Sequence, residues 1–285
     1  RVERGQLFQV TDSEGWERYS YDARGRIDKK VRYLNATTAS YTTRYEYNDG
    51  DKVVKVTYPN STYLINSYNN AGTLIKVDIY RGSDENVSGS GLLTTAYEVL
   101  EIDESSLVTK FRSGNGTESE YSYYPNSKRV NRIQVRKPDQ SIIQDLIYEY
   151  DAAGNVKKIT DQQYGTATLT NIGYDEQDRL TSYTRDGIVH QHQYDDLGNI
   201  IYNPETASTY TPHATRPHLT MNNGAGLAYF YDDNGNMIWR GGQQLSYDEH
   251  NRLESVINAD GANIHFGYSH SGARLWRTAY ETAGN

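Results

Sequence analysis

The side chains able to do chemistry in this chain are histidines, carboxylates and tyrosines, because its 285 residues include no cysteine. That absence removes disulfides, thiolate zinc sites and cysteine nucleophiles together. His190 and His192 stand two apart, so on a strand they share a face, which is how a two-ligand metal site begins. The spacing supplies no third ligand, and the pair reads as a solvated strand face. His213, His218, His265 and His270 have no nameable partner for a catalytic triad. Asp and Glu total 37, enough for a general acid and base, but most fall where turn chemistry accounts for them. Trp16, Trp239 and Trp276 could stack on sugars, although packing at repeat junctions explains them more simply. Asn35, Asn60, Asn86 and Asn115 open N-x-S/T sequons, which chance alone supplies in a chain rich in Asn, Ser and Thr. The inventory yields no catalytic residue, no metal ligand and no cofactor site, so the chain is expected not to be an enzyme.

The elements that carry these residues follow from composition. Hydrophobic residues make up 36%, of which 27 are Tyr against 4 Phe, 3 Trp and 2 Met, and the mean hydropathy is −0.83. Such a chain lacks the aliphatic material for a sheet packed on both faces, whereas Tyr buries large area and keeps its hydroxyl hydrogen-bonded. Half-buried strands fit this balance, and helical bundles do not. Segments such as Lys52–Tyr58 and Ser141–Tyr148 alternate, and no stretch sustains a helical period. No apolar run approaches the roughly 20 residues of a membrane span. A formal charge of −8 with no basic stripe argues against nucleic acid as a partner.

A tyrosine-led heptad recurs along the chain. It reads YDARGRI at Tyr21, YNDGDKV at Tyr47, YNNAGTL at Tyr68, YPNSKRV at Tyr124, YDAAGNV at Tyr150 and YDEQDRL at Tyr174. It continues as YDDLGNI at Tyr194, YDDNGNM at Tyr231, YDEHNRL at Tyr247 and YSHSGAR at Tyr268, with a decayed copy, IDESSLV, at Ile102. Most starts lie about 20 to 26 residues apart, the spacing of a repeat architecture. The second residue (Asp22, Asp151, Asp175, Asp195, Asp232, Asp248) suits the start of a type I turn, since its carboxylate accepts from amides two residues on. The fifth (Gly25, Gly72, Gly154, Gly198, Gly235, Gly272) tolerates a left-handed backbone, as do Asp51, Asp178 and Asn251 in the other copies. A type I turn followed by a left-handed residue is the three-residue hairpin loop with a bulge, so each heptad predicts a hairpin tip. The register then sets Tyr21 opposite Ile27, Tyr150 opposite Val156, Tyr174 opposite Leu180, Tyr194 opposite Ile200 and Tyr247 opposite Leu253. Leu74 and Met237 fill the same seventh position after Tyr68 and Tyr231. Each aromatic–aliphatic pair is worth about 0.2–1 kcal/mol. Asp22–Arg26, Asp175–Arg179 and Asp248–Arg252 face the other way as charge pairs, and Asn155, Asn199 and Asn236 can replace the arginine. Lys128 and Arg274 depart from the pattern. Residues 203–226, with Pro204, Pro212 and Pro217, read as a long ordered loop or a crossing between sheet segments, not as a boundary. The organisation expected is one repeat array over residues 1–285, sliced from something longer.

These Y-D-x-x-G-[RN]-[LIV] heptads resemble the YD repeats of bacterial Rhs proteins, of the B and C subunits of insecticidal toxin complexes and, more distantly, of teneurins. The resemblance covers nearly the whole chain and is tightest from Asp145 to Trp276. It implies an all-β strip of hairpins that curls into a spiral, part of a hollow Rhs-type shell. In bacterial members such a shell encloses a C-terminal toxic polypeptide, and a core domain with Asp-Pro-x-Gly pairs cuts that cargo free. Here the prolines follow Tyr58, Tyr124, Lys137, Asn203, Thr211 and Arg216, so Asp-Pro does not occur and that protease is not expected in this stretch. The implied role is a non-catalytic wall segment, secreted or at a bacterial cell surface. Its partners would be the rest of the shell and an enclosed polypeptide, with no membrane contact by this segment. The alternative is a surface module whose Tyr and Trp bind glycans or a partner protein.

Overall fold

The computed structural model describes residues 5–82, 91–212, 215–216, 220–222 and 228–280. Every regular element among them is a β-strand, as the alternation predicts. Thirteen strands, from Gln9–Asp12 to Val156–Asp161, form one antiparallel sheet whose order is that of the chain. The first strand does not pair with the last, so the sheet is an open meander and not a barrel. Later strands form shorter sheets. One holds Thr170–Tyr174, Leu180–Arg185 and Ile188–Gln191; the next holds Gln193–Tyr194, Ile200–Asn203 and Ser208–Thr209. A two-stranded sheet follows, then a six-stranded one from Tyr229–Tyr231 to Arg274–Tyr280. The chain packs as two compact units, Arg1–Glu149 with Ile159–Ala167, and Tyr150–Lys158 with Thr168–Asn285. The same hairpin recurs in both. Short strands at Ser208–Thr209, Thr211–Pro212 and Thr220–Asn222 occupy part of the stretch read from sequence as a loop. Residues 213–214, 217–219 and 223–226 of it, with His213 and His218, lie outside the described residues, as does Asn86.

The pairing register is the one the heptads predict. Tyr21 stands opposite Ile27, Tyr47 opposite Val53, Tyr68 opposite Leu74 and Ile102 opposite Val108. Tyr174 likewise faces Leu180, Tyr194 Ile200, Tyr231 Met237 and Tyr247 Leu253. A bulge precedes each tyrosine, the mark of the three-residue loop. One tip is displaced. Tyr123, not Tyr124, stands opposite Val130, and the loop closes from the Tyr124 amide to the Arg129 carbonyl, one residue longer than elsewhere. Pro125 follows two adjacent tyrosines, and the extra residue lets the first of them keep the repeat position. Lys128 still takes the left-handed conformation, at φ 55°.

A single layer of strands leaves little that is fully buried. Among the apolar side chains of the described residues only Tyr63, Tyr183 and Val256 are buried, beside Glu17, Arg32, Lys55, Asp78, Gln134 and Asp145. Each of these polar groups sits among partners. Arg132 grips Asp145 through two bonds of 2.7 and 2.6 Å, and Gln134 adds a third at 2.8 Å. Asp78 takes Lys76 at 3.0 Å and the Thr95 hydroxyl at 2.6 Å. Long charged side chains therefore cover the middle of the strands with their stems while their heads pair. Sequence reading looked for burial under the tyrosines and did not foresee it under these charges.

Candidate functional site

The feature that repeats most faithfully is the row of tips. At the first, the Asp22 amide donates to the Arg26 carbonyl at 2.9 Å and the Gly25 amide to the Asp22 carbonyl at 3.1 Å. The Asp22 carboxylate accepts from the amides of Arg24 and Arg26, both at 2.9 Å, and from Arg26 Nε at 2.7 Å. The same closure recurs at Asp151, Asp175, Asp195, Asp232 and Asp248. Fifth positions are left-handed throughout: φ is 80° at Gly25, 79° at Gly72, 101° at Gly154, 90° at Gly198 and 87° at Gly235. Ser106 of the decayed copy shares it at 64°. These donors hold the carboxyls ionised. The Arg26 guanidinium keeps Asp22 below the usual carboxylate range, as the backbone amides of Asn155 and Arg179 do for Asp151 and Asp175. At Asp195 and Asp232 the side-chain amides of Asn199 and Asn236 have the leading effect.

Sequence spacing did not reveal that each tip is completed by the next. The Tyr47 hydroxyl donates to the Ile27 carbonyl at 2.8 Å, and Tyr68 to Val53 at 2.9 Å. Tyr123 reaches Val108, Tyr174 reaches Val156 and Tyr194 reaches Leu180, at 3.1, 2.9 and 2.9 Å. Tyr247 bonds Met237 and Tyr268 bonds Leu253, at 3.0 and 2.8 Å. In every case the first residue of one heptad caps the seventh of the one before. The reason lies in the ladder. Pairing between Ile27–Leu34 and Ala39–Tyr47 stops at Lys29 opposite Arg44, two residues short of Ile27. A phenol spans the gap that the diverging backbones leave, which phenylalanine cannot do. Burial pushes the phenols of Tyr47, Tyr123, Tyr174 and Tyr247 up, so they stay protonated and donate.

The sixth residue makes a second stitch. Arg26 bonds the Asn48 carbonyl at 3.1 Å and Asp51 at 2.6 Å, and its guanidinium lies 4.4 Å from the Tyr47 ring centroid. Arg179 stacks over Tyr194 and Arg252 over Tyr268, at 4.7 and 5.0 Å. Where Asn replaces Arg, Asn155 bonds Asp178 and Asn236 bonds Asn251, each in the following tip. The within-tip pairs read from sequence are also present, Asp175–Arg179 at 2.6 Å and Asp248–Arg252 at 2.7 Å among them.

The opposite ends of the strands turn with the same backbone. Tyr58 and Thr62, Ser113 and Thr117, Lys137 and Ser141, and Asn258 and Ala262 close three-residue loops. Their left-handed residues are Ser61, Gly116, Gln140 and Gly261. Asn60 accepts from the amide and hydroxyl of Thr62, and Asn115 does the same with Thr117. Two of the sequons are therefore turn signatures. His190 lies stacked on Tyr183, and Trp16 on Tyr33, at 4.7 and 5.4 Å between ring centroids. Trp276 stands opposite Gly267, where a Cβ would come 2.1 Å from its Nε1. Among the described residues no three His, Cys, Asp or Glu side chains converge in a way that could hold a metal ion.

The family model for the teneurin YD-shell matches residues 98–245, a little over half of the chain. The chain belongs to the YD-shell family. A curated relative, the double-stranded DNA deaminase toxin A of Burkholderia cenocepacia (strain H111), is 29% identical over 164 residues. That match covers 55% of this chain and 11% of the relative. Among solved structures, the crystal structure of TcdB2-TccC3-TEV superposes with a TM-score of 0.78 at 20% identity, over 99% of this chain and 16% of that one. The Photorhabdus luminescens Tc holotoxin pore, with a TccC3 mutation, gives 0.79 at 21% identity over 99% and 16%. This YD-shell chain thus has the fold of a segment of those proteins. It spans about a tenth of the length of the curated relative it matches and about a sixth of those structures.

Proposed function

We propose that this YD-shell segment is a structural wall that encloses a polypeptide for delivery, and that it turns over no substrate. The observation that carries this reading is the tip-to-tip stitching. The tip carboxylates are spent on closing their own loops, and the phenols on holding one repeat to the next. A one-layer strip built in this way has a tyrosine-bearing face and no helix laid against it among the described residues. Relatives that include a toxin and Tc complex components support a secreted bacterial assembly, with further shell segments and a C-terminal cargo as partners. The glycan-binding alternative has less to stand on, because Trp16 is stacked within its own hairpin and Trp276 fills the space over Gly267.

Digestion of the full-length protein by a nonspecific protease tests the proposal. A C-terminal polypeptide should survive while the shell is intact and be cut once the shell is opened. Equal sensitivity in both states refutes enclosure.

A further inference from the structure

The chain changes sheets at residue 192. Ile188–Gln191 pairs with Leu180–Arg185, whereas Gln193–Tyr194 pairs with Ile200–Asn203. Between them the His192 amide donates to the Thr181 carbonyl at 2.9 Å. The His192 ring tilts against Tyr183 with centroids 6.2 Å apart, and His190 stacks on the same tyrosine with planes 7° apart. Tyr183 is 4% exposed, and among the described residues neither its hydroxyl nor the buried Nδ1 of His192 has a hydrogen-bond partner.

This packing suits a neutral imidazole. Protonation makes both ring nitrogens donors, and a charged Nδ1–H would then be buried with no acceptor. The charges along this face do not help. His190 is the neighbour on the same strand, and Arg185 lies 5.4 Å from the Tyr183 ring centroid. Arg179, toward the tip, stacks on Tyr194. The carboxylates at hand are already taken, Glu205 by Arg185 at 3.3 Å and Asp175 by Arg179 at 2.6 Å. Burial holds His192 below its ordinary value, and His190 adds to the effect. Ile188–Gln191 itself is lightly held: it pairs on one side with Leu180–Arg185, and Ile188 and Val189 are 63% and 60% exposed. The links between the two sheets include the Tyr194–Leu180 and His192–Thr181 bonds and the exposed Arg185–Glu205 pair.

We infer that residue 192 is a proton-operated joint, at which charging His192 in mildly acidic solution releases Ile188–Gln191 from Leu180–Arg185 and parts the two short sheets. The sign follows from the depressed imidazole. The stability it contributes is complete above the ordinary histidine value of about 6.5 and is lost as pH falls below it. A wall with one such joint opens at a set place on entry into an acidic compartment.

Hydrogen exchange on the full-length protein, at about pH 7.5 and pH 5.5 and corrected for the intrinsic rate, reads this directly. Protection should fall several-fold at residues 181–194 on acidification and hold at the tip of residues 21–27. His192→Phe, which keeps a ring but takes no proton, should remove the response. Equal protection at both pH values overturns the inference, as does a response that survives His192→Phe. If that variant does not fold, NMR titration of His192 in the natural sequence decides. A midpoint below that of an ordinary histidine, coincident with the loss of protection, supports the joint, and one at or above about 6.5 overturns it.

Discussion

The two ends of each hairpin share a loop backbone and differ in what their side chains reach. At the tyrosine tips, Tyr47 bonds the previous repeat and Arg26 the next. At the opposite ends, Asn60, Asn115 and Asp139 bond only residues of their own turns. One end is a side-chain seam repeated from copy to copy, and the other a row of corners joined only in places, as by the Gly82 amide to the Ser61 carbonyl at 3.1 Å and by Gln243 to Asn258 at 2.7 Å. The repeat signature is therefore strong where repeats must be joined and faint where each needs only to turn.

Acid should expose the largest difference between the ends. Asp22, Asp151, Asp175, Asp195 and Asp232 all titrate below the usual carboxylate range when folded. Stability from them is complete above about pH 4 and is lost as pH falls through their folded values. Circular dichroism should show a cooperative loss of structure below that point, and Asp22→Asn with Asp175→Asn should flatten it. At the far corners Asp139 is lowered by the Ser141 hydroxyl and amide and Asp161 by the Tyr164 amide, but these are fewer than at the tips, so Asp139→Asn should leave the acid transition in place.

A substitution in the loop itself should not distinguish the ends. Gly154 and Gly261 both sit at positive φ, 101° and 85°. Gly154→Val and Gly261→Val should each cost more than about 1 kcal/mol in denaturant unfolding. A much smaller cost at either would mean that the two loops are not equivalent. The hydroxyl stitch should separate the ends again. Tyr47→Phe removes a bond between repeats and should cost about 1 kcal/mol. Tyr58→Phe, at a far corner with 40% of its surface exposed, should change stability by no more than about 0.5 kcal/mol. Equal effects would dissolve the distinction between seam and corner. Asn60→Ala should likewise cost only about 0.5 kcal/mol, and it should add to Tyr47→Phe without coupling, as a double-mutant cycle would show.

Much of the seam was legible in the sequence because its logic is local. Asp at the second position and Gly or Asn at the fifth dictate the loop within five residues, and in the decayed copy Asp103 with Ser106 at positive φ still sets Ile102 opposite Val108. The hydroxyl bonds were not legible, since they join residues 10 to 20 apart whose approach depends on where the ladder ends. The far corners were visible but misjudged. Pro59-Asn60-Ser61-Thr62 and Pro138-Asp139-Gln140-Ser141 carry turn chemistry, yet the first was noticed only as a sequon. At Tyr123 and Tyr124, two adjacent tyrosines offered two registers, and local pattern could not choose between them.

The hydroxyl bonds also give the strip a direction. Each of the tyrosines from Tyr47 to Tyr268 that caps a seventh-position carbonyl reaches toward the N-terminus. A repeat leaving the ribosome therefore carries an open acceptor until its successor emerges and closes it. Synthesis runs in the same sense as closure, so every newly made repeat finds its docking place already built. A chain assembled in the reverse order would instead present each phenol before its acceptor existed. The seam thus behaves as a zip fastener whose slider is the growing end of the polypeptide.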